Sequence, residues 1–336
     1  MHPSEFPQQP SNPNQLKADI RKVIERFLAG CEVSLMVPLY DKEVHDACVA
    51  EAHRRGCFSK GDLTDTTLDR YIPMGVIMAS ATLSTIPRLE TKAFMALFTA
   101  LAVHVDDISS HNVEPLRRFT QNFLLRQPQG HPFLDAFAGM ISDFPNHFDP
   151  LVSQIMLTSS LDFVTGQLME HNLKGTPIST HAGQYADYVR LSSGLAHCYA
   201  LSPFPRDLPV QSYIQALPEL LTYTNNVNDV LSFYKEEMAG EQINRVTSLS
   251  KCHKISKIEV LQRITDQTIE AYTQASKMIK EIGRPEAYQA FRALIQGHVV
   301  FYACSRYRLD EIFGFNLEGL SRPQSNEQLP LAEESG

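Results

Sequence analysis

The sequence predicts an all-α protein with one helical domain. Apolar residues recur at intervals of three and four through most of the interior, as they do on one face of a helix. The segments with this spacing are 19–28, 88–107, 148–173, 183–202, 211–239, 256–282 and 286–313. Their lengths and their Ala, Leu, Met and Gln content favour helix over strand. The alternating β-branched runs and Asn-Gly or Asp-Gly turns that indicate hairpins are missing, so we expect roughly ten helices.

Each predicted helix follows from its own apolar pattern. The first, over 19–28, has its apolar spacing at Ile20, Val23, Ile24, Phe27 and Leu28. The second, over 88–107, repeats the spacing at Phe94, Leu97, Phe98, Leu101, Ala102 and Val105. The five later segments have the same pattern. Several are apolar around much of their circumference, as expected where helices surround a central apolar pocket.

The two ends of the chain lack this pattern. Residues 1–14 are rich in Pro, Gln and Asn, and residues 321–336 are also predominantly polar. We therefore expect a disordered tail at each end. No linker or internal repeat occurs between the tails, so residues 15–320 are predicted to form a single domain.

Composition and charge exclude several classes of function. Of the 336 residues, 43% are hydrophobic and 20% charged, which is enough apolar material for a large core. Thirty Lys and Arg against 38 Asp and Glu give a net charge of −8, so no general attraction to nucleic acid or anionic membrane is expected. The N-terminal residues have no apolar run like that of a signal peptide, and six scattered cysteines suit a reducing compartment. We expect a soluble cytoplasmic protein.

The strongest chemical motif lies in residues 227–236. Asn228, Ser232 and Glu236 are spaced at i, i+4 and i+8, so they share one helix face. Three oxygen donors of mixed charge suit Mg²⁺, and the adjacent Lys235 could reach a phosphate. The alternative is a solvated polar stripe, but the apolar flanks indicate that the face points inward, where polar groups need partners.

A second candidate is the acidic pair Asp106-Asp107 at the end of an apolar helix. Adjacent carboxylates can share a divalent cation, because without one their like charges repel. The alternative is an exposed acidic helix end. His104, just before the pair, is interpreted as a core histidine rather than a ligand.

Two basic sites complete the set. Arg190 lies in YADYVRLSSGLAHC, where residues 192–194 (Ser-Ser-Gly) interrupt the helical pattern and predict a kink or break. Arg306 and Tyr307 lie near the end of the last long predicted helix and could donate hydrogen bonds to phosphate. The pair at 70–71 is a second Arg-Tyr copy, so the dipeptide alone is not specific, and a surface ion pair is the alternative for each arginine. GxGxxG, GxxxxGK[ST], HExxH and GxSxG motifs are absent.

Taken together, these motifs resemble class I terpene cyclases, most closely the fungal trichodiene synthase family. The resemblance covers roughly residues 15 to 315 and rests on four elements in chain order. The first is the acidic pair, and the second is the run through SLDFVTGQLMEHNL and YVRLSSGLAHC to Arg190. The third is NDVLSFYKE and the fourth is CSRYRLDEI. NDVLSFYKE matches the family's (N/D)DxxSxxxE metal motif. One departure concerns the acidic motif, whose further acid would fall at Ser110. Asp106 is then the expected bridging ligand, and Asp107 and Ser110 are doubtful contributors.

The resemblance implies a Mg²⁺-dependent sesquiterpene cyclase. Such an enzyme ionises farnesyl diphosphate and cyclises the allylic cation to a hydrocarbon or alcohol. The implied ligands of three Mg²⁺ ions are Asp106, Asn228, Ser232 and Glu236. The implied diphosphate-binding residues are Arg190, Lys235, Arg306 and Tyr307, and the implied catalytic residues are Asp106, Arg190, Arg306 and Tyr307. Candidates for the apolar pocket wall are Phe98, Phe163 and Tyr302. The homodimer common in this group leaves no mark in the sequence.

Two alternatives remain at this stage. A chain-elongating prenyl diphosphate synthase would need two DDxxD motifs, and NDVLSFYKE stands where the second would be. The other alternative is a non-catalytic helical interaction module, in which the polar face and the arginine sites would have no catalytic role. The product skeleton depends on the contour of the pocket at sub-ångström scale.

Overall fold

A computed structural model describes residues 13–58, 68–109, 112–172, 174–241 and 244–315. Within these ranges the chain forms α-helices and short 3₁₀ helices and no strand, which confirms the predicted all-α class. The α-helices are α1 (Pro13–Gly30), α2 (Lys42–Arg54), α3 (Ile72–Thr82), α4 (Leu89–Ser109), α5 (Phe119–Leu124), α6 (Pro132–His147), α7 (Pro150–Asn172), α8 (Gly183–Ser193), α9 (Ala196–Leu201), α10 (Leu217–Ala239), α11 (Arg245–His253), α12 (Lys257–Ile282), α13 (Pro285–Tyr302) and α14 (Asp310–Phe313). The 3₁₀ helices are Glu114–Arg118, Val210–Ser212, Ile214–Ala216 and Ser305–Tyr307.

α4 and α10 carry all four predicted metal ligands, and each packs against several other helices. α3 packs along α4 and α13, while α10 packs along α12. α3 and α4 approach closely at Gly75, where a Cβ atom would lie 2.0 Å from the Ala96 carbonyl oxygen. α4 is buried around most of its circumference, including Phe94, Leu97 and Leu101. This burial explains why its sequence is apolar almost throughout and why its final carboxylates stand out.

Three predicted segments are divided in the structure. Segment 211–239 begins as the 3₁₀ turns Val210–Ser212 and Ile214–Ala216, and α10 starts only at Leu217. Segment 183–202 becomes α8 and α9, because the helix ends at Ser193 and restarts at Ala196. Leu195, between them, has the left-handed φ of 49°, so the break predicted from Ser-Ser-Gly is present. Segment 286–313 is also divided, since α13 ends at Tyr302 and a separate 3₁₀ turn, Ser305–Tyr307, carries Arg306.

The predicted tails lie almost entirely outside the described residues. Residues 1–12 and 316–336 are not described, so the predicted domain limits of 15 and 320 stay predictions. α1 begins at Pro13, two residues inside the predicted N-terminal tail, and packs on α12 and α10. Across the described ranges, no single helix is long and apolar enough to cross a membrane, although one bent pair, Leu89–Ser109 with Glu114–Leu124, reaches the required length and apolarity when combined.

Candidate active site

Asp106 lies in the last turn of α4 and is held from α7. The Gln167 side-chain amide donates a hydrogen bond to Asp106 Oδ1 (3.1 Å), and Gln167 in turn accepts one from the Ser109 hydroxyl. Asp106 is open to solvent on one side, but the surrounding protein desolvates its carboxylate and raises its pKa, and the neighbouring Asp107 adds to this effect. Its raised pKa shows that the carboxylate lacks a fully compensating positive charge.

The polar face of α10 (Asn228, Ser232 and Glu236) forms a linked set of oxygen donors. The Ser232 hydroxyl donates to Glu236 Oε1 and lies 3.5 Å from Asn228 Oδ1. Ser232 is only 2% exposed, so the face is not a solvated stripe. Burial raises the pKa of Glu236 to about 7, against the lowering effects of the Ser232 hydrogen bond and the Lys235 charge.

These donors fit a magnesium site in their chemistry. In the described part of the chain, no three or more His, Cys, Asp or Glu residues are arranged to hold a metal. The donors are instead a carboxylate, an amide and a hydroxyl on α10 and a carboxylate on α4, all offering the oxygen atoms that Mg²⁺ prefers. The raised pKa values of Asp106 and Glu236 fit the same interpretation, because a bound cation would stabilise both anions.

The end of α4 and the polar face of α10 lie in the same region. The Lys235 ammonium, next to Glu236 in sequence, is close enough to Asp106 to lower its pKa. A second connection runs through Tyr302, whose hydroxyl accepts a hydrogen bond from the Asn228 amide (2.9 Å). The rings of Tyr302 and Tyr307 are 4.6 Å apart, which brings the 3₁₀ turn of Arg306 to this site.

Each of the three predicted diphosphate-binding cations is paired with a carboxylate. Arg190 Nε lies 3.3 Å from Asp229 Oδ1, and Lys235 Nζ lies 2.7 Å from Glu241 Oε1. Arg306 donates two hydrogen bonds to Asp107, at 2.7 and 3.3 Å. These arginine and lysine side chains are 18–26% exposed, so each is partly accessible to solvent. Among these partners, only Asp107 had been considered from sequence.

Asp107 accepts hydrogen bonds from Arg306 and from a second residue, Tyr71. Burial together with the Asp107 charge raises the Tyr71 pKa. The second Arg-Tyr pair therefore reaches the site through its tyrosine, whereas Arg70 is exposed. His104 is 5% exposed and packs edge-on against Tyr71 and Phe133, as expected of a core histidine. Ser110 lies outside the described residues.

The three aromatic candidates for the pocket wall lie in different places. Phe98 is fully buried and its ring is 5.3 Å from that of Phe137, which also contacts Phe163 at 6.1 Å. These rings belong to an aromatic cluster between α4, α6 and α7. Tyr302 instead lies beside Asn228, and burial raises its pKa strongly. Tyr307 is 7% exposed and is desolvated in the same way.

Several residues at the site were not singled out from the sequence. On α7, Glu170 lies near Asp106, Arg190 and Glu241, and burial raises its pKa. α7 and α8 meet closely here, since a Cβ atom at Gly166 would lie 2.8 Å from Ser193 Cα. The quoted run SLDFVTGQLMEHNL contains Gly166, Gln167 and Glu170, but neither spacing nor charge distinguishes them before the helices are packed.

Arg245, at the start of α11, fixes the carboxylate that holds Arg190. Its guanidinium donates to Asp229 Oδ2 (2.7 Å), Asn226 Oδ1 (2.6 Å) and Asp187 Oδ1 (2.8 Å). Asp229 is therefore shared by two arginines, so its position is determined from both α8 and α11.

Comparison with known sequences identifies relatives among fungal terpene synthases. The trichodiene synthase family matches residues 67–321. The alpha-cuprenene synthase of Coprinopsis cinerea is 34% identical over 93% of this chain and 94% of its own length. Terpene synthase BipA of Cochliobolus sativus is 31% identical over 71% of this chain and 75% of its own. The trichodiene synthase of Gibberella zeae is 28% identical over 67% and 61%, respectively.

Solved structures share the fold at low sequence identity. The linalool/nerolidol synthase of Streptomyces clavuligerus, in complex with 2-fluorogeranyl diphosphate, has a TM-score of 0.59 at 15% identity and covers 82% of this chain and 98% of its own. The isoprene synthase of grey poplar leaves, in complex with three Mg²⁺ ions and dimethylallyl-S-thiolodiphosphate, has a TM-score of 0.54 at 14% identity, over 88% and 58% of the two chains.

Proposed function

The chain belongs to the trichodiene synthase family of terpene synthases, and on this premise we propose that it is a Mg²⁺-dependent sesquiterpene cyclase that acts on farnesyl diphosphate. As a terpene synthase it is a carbon–oxygen lyase acting on a phosphate ester. One observation supports the proposed metal and substrate. Desolvated oxygen donors on α4 and α10 lie in the same region as three partly accessible cations, Arg190, Lys235 and Arg306.

The proposed metal ligands are Asp106 on one side and Asn228, Ser232 and Glu236 on the other. Gln167 supports this assignment, because its hydrogen bond orients the Asp106 carboxylate. Ser232 similarly fixes the Glu236 carboxylate. Bound Mg²⁺ would neutralise the diphosphate and make it a better leaving group.

Arg190, Lys235 and Arg306 are proposed to bind the diphosphate and to stabilise the charge that develops when the allylic C–O bond breaks. Donors placed in advance around a developing anion give the largest stabilisation of such a transition state. Each cation is now paired with a carboxylate, so the diphosphate would share or replace that partner. The buried Tyr307 hydroxyl is a fourth proposed donor.

The remaining allylic cation would be held by the apolar part of the pocket. Tyr302 is the wall candidate that the geometry favours, since its hydroxyl bonds to Asn228 and its ring lies between the metal face and Tyr307. Aromatic faces stabilise cations without quenching them. Exclusion of water until the last step prevents early capture of the allylic cation as an acyclic alcohol.

We further propose a cytoplasmic location. All six cysteines are free and buried, as expected of a protein in a reducing compartment. A homodimer stays a prediction, which light scattering would test.

The test is incubation of the protein with farnesyl diphosphate and Mg²⁺, followed by GC–MS of the organic extract. A cyclic hydrocarbon or alcohol is expected, turnover should stop with EDTA, and Mg²⁺ should restore it. Geranyl and geranylgeranyl diphosphate, supplied in parallel, test the chain length. Longer prenyl diphosphates would instead identify an elongating synthase, and activity unaffected by EDTA would refute the metal role.

A further inference from the structure

One carboxylate beside the site is shared by two arginines, and its contacts with them are unequal. Arg245 donates a short hydrogen bond to Asp229 Oδ2 (2.7 Å). Arg190 Nε lies 3.3 Å from Asp229 Oδ1, but this contact lacks hydrogen-bond geometry, since Arg190 Nε has no aligned acceptor among the described residues. The Asp229 side chain is only 7% exposed. Asp229 is therefore held mainly by Arg245, although Arg190 is the residue proposed to bind the diphosphate.

Arg245 itself is fixed from two helices. Its Nη1 atom also donates to Asn226 Oδ1 (2.6 Å) on α10, and its Nε atom donates to Asp187 Oδ1 (2.8 Å) on α8. Arg245 is the first residue of α11, where the positive end of the helix dipole disfavours a cation. Because the helix does not favour a positive charge at this position, the attraction of the Asp187 and Asp229 carboxylates must hold the guanidinium there.

Arg190 is bound to the protein more loosely than Arg245. In the described part of the chain, its only hydrogen bond runs from Nη2 to the Asn225 carbonyl oxygen (3.3 Å). A guanidinium has five N–H donors, so most of those of Arg190 have no acceptor within these residues. An incoming diphosphate can therefore use the planar fork of Arg190 at the expense of one ion pair and one long hydrogen bond.

Asp229 determines what it costs Arg190 to turn toward a diphosphate. A carboxylate at this depth destabilises the protein when it has no positive partner. If Asp229 depended on Arg190 alone, the departure of Arg190 would leave a buried charge uncompensated, and the pair would resist the substrate. With Arg245 in place, Asp229 keeps its shorter hydrogen bond when Arg190 moves away. Arg245 therefore lowers the cost of releasing Arg190.

We propose that Arg245 is a positioning residue of the diphosphate site, which keeps Asp229 paired when Arg190 turns to the substrate. Arg245 acts through Asp229 and does not itself contact the diphosphate. Its effect should therefore disappear when residue 229 carries no charge. The inference rests on the proposed function, because that function makes Arg190 a diphosphate donor.

The test measures binding of pyrophosphate in the presence of Mg²⁺ by isothermal titration calorimetry, in which the stoichiometry reports the folded fraction. Arg245→Met removes the charge and keeps a long apolar stem. Asp229 should then pair with Arg190 instead, and the Kd should rise about five- to fiftyfold. Arg245→Lys keeps the charge without the planar fork and should give an intermediate Kd. Adding Asp229→Asn to Arg245→Met removes both members of the pair and should restore most of the affinity.

Arg55→Met is the matched control. The Arg55 side chain is 8% exposed, against 11% for Arg245, and it also joins two carboxylates, those of Glu51 and Asp143. Loss of either arginine should lower Tm, because each leaves buried or partly buried carboxylates without a partner. Only Arg245→Met should raise the Kd.

Three results would overturn the inference. They are a wild-type Kd for Arg245→Met, an equal rise in Kd for Arg55→Met, and no gain in affinity when Asp229→Asn is added to Arg245→Met. Should Arg245→Met not fold, Arg245→Lys decides the question, since an unchanged Kd would overturn the inference and a raised one would support it. Failure of the proposed function gives a different result: the wild-type protein would bind no pyrophosphate with Mg²⁺ and convert no prenyl diphosphate.

Discussion

Replacing Glu236 with Gln should stabilise the metal-free protein at pH 8 while it abolishes metal-dependent turnover. Burial raises the pKa of Glu236 from 4.5 to about 7. Above that pH the folded protein keeps a charged carboxylate in a desolvated position, whereas the unfolded chain keeps it in water. A shift of this size corresponds to about 3 kcal/mol. The pKa of about 7 already includes the opposing effects of the Ser232 hydrogen bond and the Lys235 charge. The Gln amide, however, adds N–H donors that need partners at this desolvated position, so we expect a net gain of about 1–2 kcal/mol.

The sign of the pH dependence follows from the raised pKa. Between pH 4.5 and about 7 the folded state binds more protons at Glu236 than the unfolded state does. The contribution of Glu236 to the free energy of unfolding therefore falls as pH rises through this window and stays low above it. Glutamine does not titrate, so the difference between variant and wild type should be small near pH 4.5 and largest above pH 7.

Differential scanning calorimetry in EDTA at several pH values measures this effect. For a chain of 336 residues, a gain of about 2 kcal/mol raises Tm by roughly 3 °C. Glu237→Gln is the matched control, since Glu237 forms a largely buried ion pair with Lys257 and its neutralisation should lower Tm. A lower Tm for Glu236→Gln at pH 8, or an equal gain at pH 5 and pH 8, would refute the reasoning.

The remaining predictions concern the cations, the support of Asp106 and the approach of α7 to α8. Arg190→Lys and Arg306→Lys keep the positive charge but lose the planar guanidinium fork, so kcat/KM should fall about ten- to hundredfold and acyclic product should increase. The control is Arg263→Lys, at a surface ion pair with Glu259, which should have no effect in the same assay. Gln167→Leu removes the hydrogen bond to Asp106 and should raise the Mg²⁺ concentration needed for half-maximal rate several-fold, with recovery at excess Mg²⁺. Gly166→Ala places a Cβ atom 2.8 Å from Ser193 Cα, so the free energy of unfolding measured in urea should fall by about 1–3 kcal/mol. An unchanged urea midpoint would contradict the close approach of α7 and α8.

The sequence predicted the helical class and the break after Arg190 because both leave local signals. Ser-Ser-Gly interrupts a helical pattern whatever the surroundings. α3 (Ile72–Thr82) left no such signal, since it is buried on nearly every side and has no polar face to reveal its period. The short turn that carries Arg306 was also missed, because the apolar spacing continues past Tyr302 although the helix ends there.

At the site, local spacing predicted the polar face of α10 but not its partners. Asn228, Ser232 and Glu236 share a face by helix geometry alone, and their hydrogen bonds follow from that. Gln167 and Glu170 have ordinary residue types at ordinary spacing. Their positions at the site depend on how α7 packs against α4, which no local pattern encodes.

The distribution of charge at the site implies an order of binding. Asp106 and Glu236, the proposed metal ligands, have raised pKa values although Lys235 opposes the rise at both, so the positive charge near them does not fully compensate their desolvation. Arg190, Lys235 and Arg306 already have carboxylate partners, so a diphosphate alone must replace those partners and also face two desolvated carboxylates. Metal supplies the missing charge and should therefore be needed before the anion can bind. Pyrophosphate without metal should leave Tm unchanged, whereas Mg²⁺ with pyrophosphate should raise it by several degrees. An equal rise with pyrophosphate in EDTA would show that the cations alone suffice and that the carboxylates do not control binding.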